Sequence, residues 1–295
     1  MESEAGLLKD KAPEALRKDI REIINYREAL YYAEFALKSR PITLSLIKEM
    51  HKILMRKVRG NSKSPGNFRT TQNWIGNFGS PIEDARVIPP NPLIVSEYME
   101  NLNDFLYEKF DDEIVRTAII HAQFEIIHPF LDGNGRIGRL LIPLIFYSKK
   151  LISRPAFYIS EYFETNRKLY YDKLLGITDS GDWQSWIEYF ITAVKTQAEV
   201  NINRAVTIID LYNNLKGKFV NITHSQFAIP VLDAFFQKPL VTSSAISKLA
   251  NINNRVTLNK VLSALENGGV IVTVKKGKGR ETSVYAMPEL LNIVK

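Results

Sequence analysis

The sequence predicts a mainly α-helical protein, in which a helical bundle carries a β-hairpin flap and is followed by a small α+β domain. Apolar residues recur at helical spacing from about residue 12 to 205, with one interruption rich in Gly, Pro and Asn at 60–92. Beyond a polar helix at 194–217, short helical and strand-like segments alternate. These two observations predict a flap within a bundle and a separate small domain after it.

Length and composition bound this architecture. Single cores stop growing at roughly 250 to 300 residues, so for 295 residues we expect two domains, at 1–217 and 218–295. The chain is 45% hydrophobic and 24% charged, which is typical of soluble globular proteins. The absence of Cys excludes disulfide and thiolate sites and suits a cytoplasmic protein. The most apolar run, Leu140 to Tyr147, is too short to span a membrane.

One helix of the bundle is predicted to be central. Apolar residues cover nearly every face of the segment 114–127, so we expect this helix to be buried all round. Pro129 ends it because the proline ring cannot continue the hydrogen-bond ladder, which leaves His128 at a helix terminus. Helical spacing resumes over 137–149. The polar segment between the two helices is therefore expected to be pinned at both ends.

The interruption at 60–92 is predicted to form the flap. Residues with high strand propensity alternate there with turn formers, in Ser64–Arg69, Asn73–Asn77 and Val87–Pro90. The alternative is that Trp74 and the prolines simply cover the bundle. Composition supports either interpretation.

The segments after residue 218 follow the order of a winged-helix domain. Three helices are predicted at 231–236, 243–250 and 255–265, followed by strands at 270–274 and 283–286. A basic turn joins the two strands and contains Lys275, Lys276, Lys278 and Arg280.

A formal charge of +7 and a pI near 9.3 favour an acidic partner. In one interpretation the helix 255–265 enters the DNA major groove and the basic turn contacts phosphates. In the other, the domain docks on a protein and the turn is only solvated.

The segment 128–139 combines the parts of a phosphate-binding site. Gly133 and Gly135, on either side of Asn134, can adopt a left-handed backbone that turns successive N–H groups inward as an anion-binding nest. The next helix begins there, and its N-terminal end favours phosphate. These features predict a phosphate cradle.

The charged residues of the same segment suit phosphoryl-type transfer. Arg136 and Arg139 are three residues apart on a helical turn, so both can grip phosphate oxygens. Asp132 supplies the hard oxygen ligand that Mg²⁺ prefers, and His128 can take a proton near neutral pH. The alternative is that Asp132 caps a helix, the glycines end helices and the arginines face solvent.

The segment His128-Pro-Phe-Leu-Asp-Gly-Asn-Gly-Arg-Ile-Gly-Arg139 also resembles, without a mismatch, the active-site motif of Fic proteins, His-x-Phe-x-Asp/Glu-Gly-Asn-Gly-Arg-x-x-Arg. The resemblance covers roughly residues 20 to 200 and includes Asn25-Tyr26, Pro65-Gly66, Phe68-Arg69 and Tyr170-Tyr171. It implies a Fic-type helical bundle that transfers AMP from Mg-ATP to a Ser, Thr or Tyr hydroxyl of a protein target.

Roles for individual residues follow from this resemblance. It implies that His128 is the general base, that Asp132 holds Mg²⁺, and that Arg136 and Arg139 bind the nucleotide phosphates. The backbone of residues 133–135 would form the anion hole. The resemblance further implies that Val87 and Ile88 of the flap clamp the target segment, that Tyr170 lines the adenine or ribose site, and that the protein can form a homodimer.

One feature departs from many Fic proteins. They carry an inhibitory Ser/Thr-x-x-x-Glu-Gly/Asn helix whose Glu pairs with the second motif arginine, here Arg139. No such string precedes the core, and Ser263 to Asn267 is one residue too short. We therefore expect no internal glutamate to restrain Arg139.

The sequence thus predicts a protein adenylyltransferase that uses ATP and Mg²⁺. Within the enzyme class, transfer of UMP or GMP, or removal of AMP, is an alternative. From a different class, the chain could be a DNA-binding transcriptional regulator or a toxin–antitoxin-like component that acts through the winged helix. His121 is expected to be a hydrogen-bonded core residue, and Trp183, Trp186 and Phe190 are expected to belong to the core.

Overall fold

The computed structural model describes residues 14–58, 63–75, 83, 85, 87–278 and 281–294. Residues 76–82 of the predicted flap and Arg280 of the predicted basic turn lie outside these ranges. The chain divides into two compact units between Glu199 and Val200. This division falls inside a continuous helix, whereas the boundary at 217 and 218 stays a prediction from the sequence.

The first unit is helical. Its helices, in chain order, are α1 (Glu14–Ala36), α2 (Leu44–Leu54), α3 (Val95–Phe105), α4 (Glu113–Ile127), α5 (Asn134–Ser148), α6 (Ser160–Thr165), α7 (Arg167–Ser180) and the first part of α8 (Trp183–Thr223). Thr43 caps α2 by accepting a hydrogen bond from the Leu46 N–H, and Asp112 caps α4 through the N–H groups of Ile114 and Val115. A short 3₁₀ turn at Pro92–Ile94 precedes α3.

Helix α4 lies at the centre of this unit, as its all-round apolar sequence predicts. Ile120 and Phe124 belong to an apolar cluster with α1, α2, α3 and α5, whereas Ala118 and Ala122 belong to a second cluster with α7 and α8. Helix α5 likewise contributes to both clusters. Because each helix is packed on two sides, the short connection between them has little freedom to move.

The flap is described only at its base. Ile75 and Val87 form one antiparallel bridge, with the Ile75 N–H donating to the Val87 carbonyl at 2.9 Å and the Val87 N–H donating back at 3.1 Å. The Gln72 amide donates to the Pro89 carbonyl at 2.9 Å. The two arms of the segment are therefore joined, and the hairpin beyond Ile75 stays a prediction.

The second unit combines helices with a small sheet. After α8 come α9 (Ala228–Gln237), β1 (Leu240–Thr242), α10 (Ser243–Leu249), α11 (Arg255–Asn267), β2 (Val272–Lys275), β3 (Val284–Ala286) and α12 (Pro288–Val294). The sheet is antiparallel with the order β1-β3-β2, and Val241 and Thr273 both face Tyr285 in register. Its core includes Phe219, Leu232 and Leu262.

The three helices and two strands predicted for this unit are confirmed as α9, α10, α11, β2 and β3, whereas β1 and α12 were not predicted. Three residues are too few for a strand to show a period, so β1 could be seen only through its pairing with β3. None of the helices in the described part of the chain has the length and apolar character needed to cross a bilayer.

Candidate functional site

His128 follows the last residue of α4 and is held in a defined tautomer. Its backbone is left-handed, with φ of 50° and ψ of 59°, and its N–H donates to the Phe124 carbonyl at 3.0 Å. The ring Nδ1 lies 3.2 Å from the Glu125 carbonyl oxygen. A carbonyl only accepts, so Nδ1 carries the hydrogen and Nε2 keeps its lone pair. Burial lowers the pKa of His128 to about 4, so the ring is neutral at pH 7.

Arg69 fixes the backbone on either side of His128. Its Nε donates to the His128 carbonyl at 2.9 Å, and one Nη donates to the carbonyls of Pro90 at 2.6 Å and Ile127 at 3.2 Å. Its own N–H donates to the Pro129 carbonyl at 2.8 Å. Arg69 is 2% exposed, and burial lowers its pKa. This buried arginine joins the flap to the segment that carries the base.

Asn134 closes the loop from the opposite side. Its Oδ1 accepts from the Phe130 N–H at 2.8 Å and its Nδ2 donates to the Phe130 carbonyl at 2.7 Å. The Asn134 side chain is buried, and the ring of Phe130 is fully buried. The Asn134 amide is thus used inside the loop, so only its backbone N–H is free to contribute to an anion hole.

His51 connects the flap to the motif through a neutral ring. Its Nε2 lies 2.9 Å from the Asp132 carbonyl and must donate, while its Nδ1 accepts from the Gly66 N–H at 2.8 Å. The ring stacks on Phe130 with centroids 3.8 Å apart. Burial is the main cause of the lowered pKa of His51. Gly66 has φ of 84°, and a Cβ there would lie 3.1 Å from the Lys48 carbonyl, so the turn requires glycine.

The two motif glycines differ in conformation. Gly133 has φ of 82° and is the N-cap residue of α5, as the nest requires, and a Cβ there would lie 2.9 Å from the Met55 sulfur. Gly135 is an ordinary residue of the first turn of α5, so the left-handed backbone expected for both glycines is wrong for Gly135. No side chain caps α5, which also excludes the alternative that Asp132 is its cap.

The first turn of α5 therefore keeps backbone donors that the helix does not use. The intrahelical ladder begins with the Ile137 N–H, which donates to the Gly133 carbonyl at 3.1 Å. The N–H groups of residues 134–136 precede that first bond and have no partner in the ladder. Together with the helix dipole they favour an anion at this position.

Asp132 and Arg136 take part in a chain of ion pairs across the loop. Arg136 lies 3.0 Å from a Glu22 oxygen on α1 and 3.7 Å from Asp132, whose other oxygen is 3.8 Å from the Lys63 Nζ. About a third of the Asp132 side chain is exposed. Among the described residues no three potential ligands are grouped for a metal ion. A lone accessible carboxylate fits a Mg²⁺ ion that is carried mainly by nucleotide phosphates.

Arg139 makes no ion pair within 4.0 Å to any carboxylate that the structure describes, although its charge affects several buried groups. Burial raises the pKa of Glu125 to about 7 and the pKa of Tyr26 to about 12, and the charge of Arg139 opposes both shifts. That no internal glutamate restrains Arg139 stays a prediction.

Tyr170 is buried behind the motif helices. It is 5% exposed, and its hydroxyl donates to Nε2 of His121 at 3.0 Å. His121 Nδ1 donates in turn to the Gly138 carbonyl at 3.2 Å, and burial lowers the pKa of His121 to about 3. The hydrogen-bonded core role expected of His121 is confirmed. The structure places Tyr170 within an aromatic cluster with little of its ring exposed.

Comparison with known proteins agrees with this geometry. Residues 41–146 match the model of the Fic/DOC family. This part of the chain is thus similar to Fic domains. It is 29% identical over 199 residues, 64% of this chain and 34% of the relative, to protein adenylyltransferase fic-1 of Caenorhabditis elegans. It is 35% identical over 132 residues, 42% of this chain and 28% of the relative, to protein adenylyltransferase Fic of Nematostella vectensis. The chain thus spans about a third of the length of these curated relatives.

The fold is also similar to a solved structure. A Fic family protein from Desulfovibrio desulfuricans G20 superposes with a TM-score of 0.57 at 19% identity, covering 97% of this chain and 80% of that protein. At this identity the likeness concerns the fold, which is mainly helical with one small sheet.

Around the segment 128–139, the structure brings together His128, Asp132, Arg136 and the start of α5, and the role of the flap residues toward a target stays a prediction. Val87 is bonded to Ile75, and Ile88 is 59% exposed. Trp186 is fully buried and donates from Nε1 to the Ala118 carbonyl at 2.9 Å, so its core role is confirmed.

Proposed function

We propose that this chain transfers AMP from Mg-ATP to a Ser, Thr or Tyr hydroxyl of a protein target, with His128 as general base. The observation that carries the proposal is the state of His128. Its Nδ1–H is directed to the Glu125 carbonyl and its ring is neutral at pH 7, so Nε2 is free to accept a proton. The curated relatives are named protein adenylyltransferases, which supports the same donor.

The proposed reaction is a displacement at the α-phosphorus. The target hydroxyl gives its proton to Nε2 of His128, its oxygen forms a bond to the α-phosphorus, and the bond to the leaving pyrophosphate breaks. The free N–H groups at the start of α5 face the negative charge of the phosphates, and Arg136 and Arg139 bind phosphate oxygens. Asp132 would hold Mg²⁺, which neutralises phosphate charge.

The flap and Tyr170 have supporting roles in this proposal. We assign to Val87 and Ile88 the role of pairing with the target segment, because the bridge to Ile75 holds an extended backbone there and Ile88 is largely exposed. Tyr170 has a positioning role in this proposal. Its hydroxyl donates to His121, and His121 donates in turn to the Gly138 carbonyl in α5.

The test is transfer of the labelled α-phosphate of ATP to proteins of a cell lysate, or to the protein itself, in the presence of Mg²⁺. His128→Asn removes the base and suits a left-handed backbone with φ of 50°. His224→Asn is the matched control, since His224 also has positive φ, 44°, and lies in the second unit. We expect labelling by wild type and His224→Asn and none by His128→Asn. No labelling by wild type, or equal labelling by both variants, would overturn the proposal. Competition by unlabelled UTP or GTP tests whether the protein uses one of these nucleotides instead of ATP as the donor.

A separate proposal concerns the second unit, because the net charge of the chain is confined to it. Residues 200–295 contain 12 Lys and Arg against 5 Asp and Glu, a formal charge of +7, whereas residues 1–199 contain 27 of each. We propose that this unit is a winged helix that binds duplex DNA. The helix order α9, α10, α11 and the β1-β3-β2 sheet support the assignment.

A polar cleft of this unit supports the same proposal. Its volume is about 740 Å³. Arg255, Asn259 and Ser263 line it from α11 at intervals of four residues, and Ser243 and Ser247 line it from α10. The opposite face of α11 is buried, so this face is available to a ligand.

Retention of a fluorescent DNA duplex at increasing salt tests the DNA proposal. Replacing Lys275, Lys276, Lys278 and Arg280 by Gln should weaken binding and flatten its salt dependence, while Lys195→Gln in the first unit should change neither. Absence of salt-sensitive DNA binding by the wild type would reject the proposal and favour docking on a protein.

A further inference from the structure

A groove between α3 and α4 has no part in the transfer described above. Its volume is about 460 Å³. Residues three or four positions apart line it from one face of each helix, and these include Tyr98, Leu102, Phe105, Ile119, Gln123 and Ile127. Leu102 is 7% exposed and Ile127 is 3% exposed, whereas Tyr98 is 42% exposed. The groove therefore has an apolar floor and an accessible rim.

The α4 end of the groove lies beside the proposed general base. Ile127 is the last residue of α4, and His128 follows it directly. One Nη of Arg69 donates both to the Ile127 carbonyl, at 3.2 Å, and to the Pro90 carbonyl, at 2.6 Å. Pro90 in turn lies two residues after the exposed Ile88. A target segment that pairs with this arm of the flap is therefore within reach of the groove.

The α3 side of the groove is strongly acidic. Residues 95–113 contain seven Asp and Glu against one Lys, a formal charge of −6 in a chain whose total charge is +7. Glu108 lines the groove itself, as does Asn101 of α3. Glu97 and Asp104 lie within about 60° of Asn101 around the axis of the same helix. Three carboxylates thus lie on or beside one wall of the groove.

These three carboxylates are available to a ligand. Glu113, in the same acidic stretch, is ion-paired with Arg116 at 3.4 Å and with Lys149 at 3.8 Å. In contrast, the three carboxylates beside the groove form no ion pair within 4.0 Å with any residue that the structure describes. Carboxylates without a partner attract cations, and an apolar floor accommodates the methylene groups of a Lys or Arg side chain.

We propose that this groove binds a basic segment of the protein target, next to the hydroxyl that receives AMP. The inference rests on the proposed function, because it takes the target segment to lie along the flap. Lys or Arg side chains of the target pack their methylene groups on the apolar floor and direct their charges to Glu97, Asp104 and Glu108. The same carboxylates repel an acidic segment, so the groove discriminates among targets by charge.

Retention of randomised peptides tests the inference without any transfer. Peptides with a central Thr and random flanks are passed over immobilised protein, and the bound peptides are sequenced. The ratio of Lys and Arg to Asp and Glu among them should fall at least about threefold when Glu97→Lys, Asp104→Lys and Glu108→Lys are combined as the groove variant. All three residues are exposed, so the fold should tolerate the change.

The matched control combines Glu164→Lys, Asp179→Lys and Glu188→Lys, which change the charge of the first unit equally at exposed positions. It should keep the ratio of wild type. An unchanged ratio in the groove variant, or an equal fall in the control variant, would overturn the inference. Dimerisation of wild type that is lost in the groove variant would also overturn it, because a second copy would then occupy the groove.

Transfer to lysate proteins gives a second readout. With ATP labelled at the α-phosphate, the groove variant should label proteins at least about tenfold less than wild type and the control variant, while binding of a non-hydrolysable ATP analogue should be weakened in neither variant. If the groove variant labels as wild type does, or loses the analogue, the inference is wrong and the proposed function stands. If wild type labels nothing, the proposed function fails, and the peptide retention decides the inference.

Discussion

The two ends of the motif loop are held in different ways. At the His128 end, buried Arg69 and Asn134 satisfy backbone groups of the loop through hydrogen bonds of 2.6–3.2 Å. At the other end, Asp132 and Arg136 are held by part-exposed ion pairs of 3.0–3.8 Å to Glu22, Lys63 and each other. Exposed ion pairs contribute about 0–1 kcal/mol, whereas buried bonds from a charged group contribute roughly 1.5–3 kcal/mol each. The base is therefore fixed, and the phosphate side is held by contacts that a ligand can replace.

The largest expected effect comes from removing Arg69. Arg69→Met leaves the carbonyls of Pro90, Ile127 and His128 without their donors and should lower the free energy of unfolding by roughly 3 kcal/mol or more, measured by urea denaturation. Arg154→Met is the control, because Arg154 is exposed and paired with Glu34, and it should cost under about 1 kcal/mol. If the two variants lose similar free energies of unfolding, the buried bonds at the His128 end of the loop are no stronger than an exposed ion pair, and the contrast between the two ends of the loop is wrong.

A glycine pair measures how tightly the loop packs. Gly133→Ala meets both a positive φ and the Met55 sulfur at 2.9 Å, whereas Gly181→Ala meets a positive φ with nothing within 4 Å. Backbone strain alone should cost about 1–2 kcal/mol, so Gly181→Ala should lose that amount and Gly133→Ala more. If the two lose the same free energy of unfolding, the loop is less closely packed than these contacts indicate.

The pH dependence of the chemical step tests the state of His128. Protonation of Nε2 removes the acceptor, and because burial lowers the pKa of His128 to about 4, turnover at saturating nucleotide should be level from pH 8 to 6 and fall only near pH 4 to 5. A midpoint near the ordinary value of 6.5 would show that the ring is not desolvated as described.

The smallest effect is expected at the Asp132 and Arg136 end of the loop, where a ligand can replace the ion pairs. Glu22→Gln frees Arg136 for phosphate, so KM for ATP should fall by about two- to fivefold with little change in stability. Glu28→Gln is the matched control, since Glu28 lies on the same helix as Glu22 and pairs with the exposed Arg56, and this substitution should leave KM unchanged. A KM that rises in Glu22→Gln would mean that Glu22 orients Arg136 for the nucleotide.

The sequence predicts what depends on local pattern. The apolar surface of α4, its end before Pro129 and the special backbone of Gly133 all follow from spacing and residue type. Arg69 and His51 could not be found this way, because they contact the motif across 59 and 81 residues of sequence. No local signal marks such contacts, and only the fold brings them together.

Glu125 and Tyr170 illustrate a second limit. Glu125 lies within an apolar helix, and its place against Gly138 depends on how closely α4 and α5 approach. Tyr170 is part of the family resemblance, but resemblance does not tell whether a side chain is exposed, and the structure buries it against His121. The residue types that suggest chemistry are visible in sequence, whereas the burial that tunes them is not.

The most direct test of the account is to compare ATP labelled at the α-phosphate with ATP labelled at the γ-phosphate. If His128 directs a hydroxyl to the α-phosphorus, protein should retain the α-label and release the γ-label as pyrophosphate, and His128→Asn should abolish retention. Retention of the γ-label instead, or of neither label by the wild-type protein, would contradict the proposed attack on the α-phosphorus.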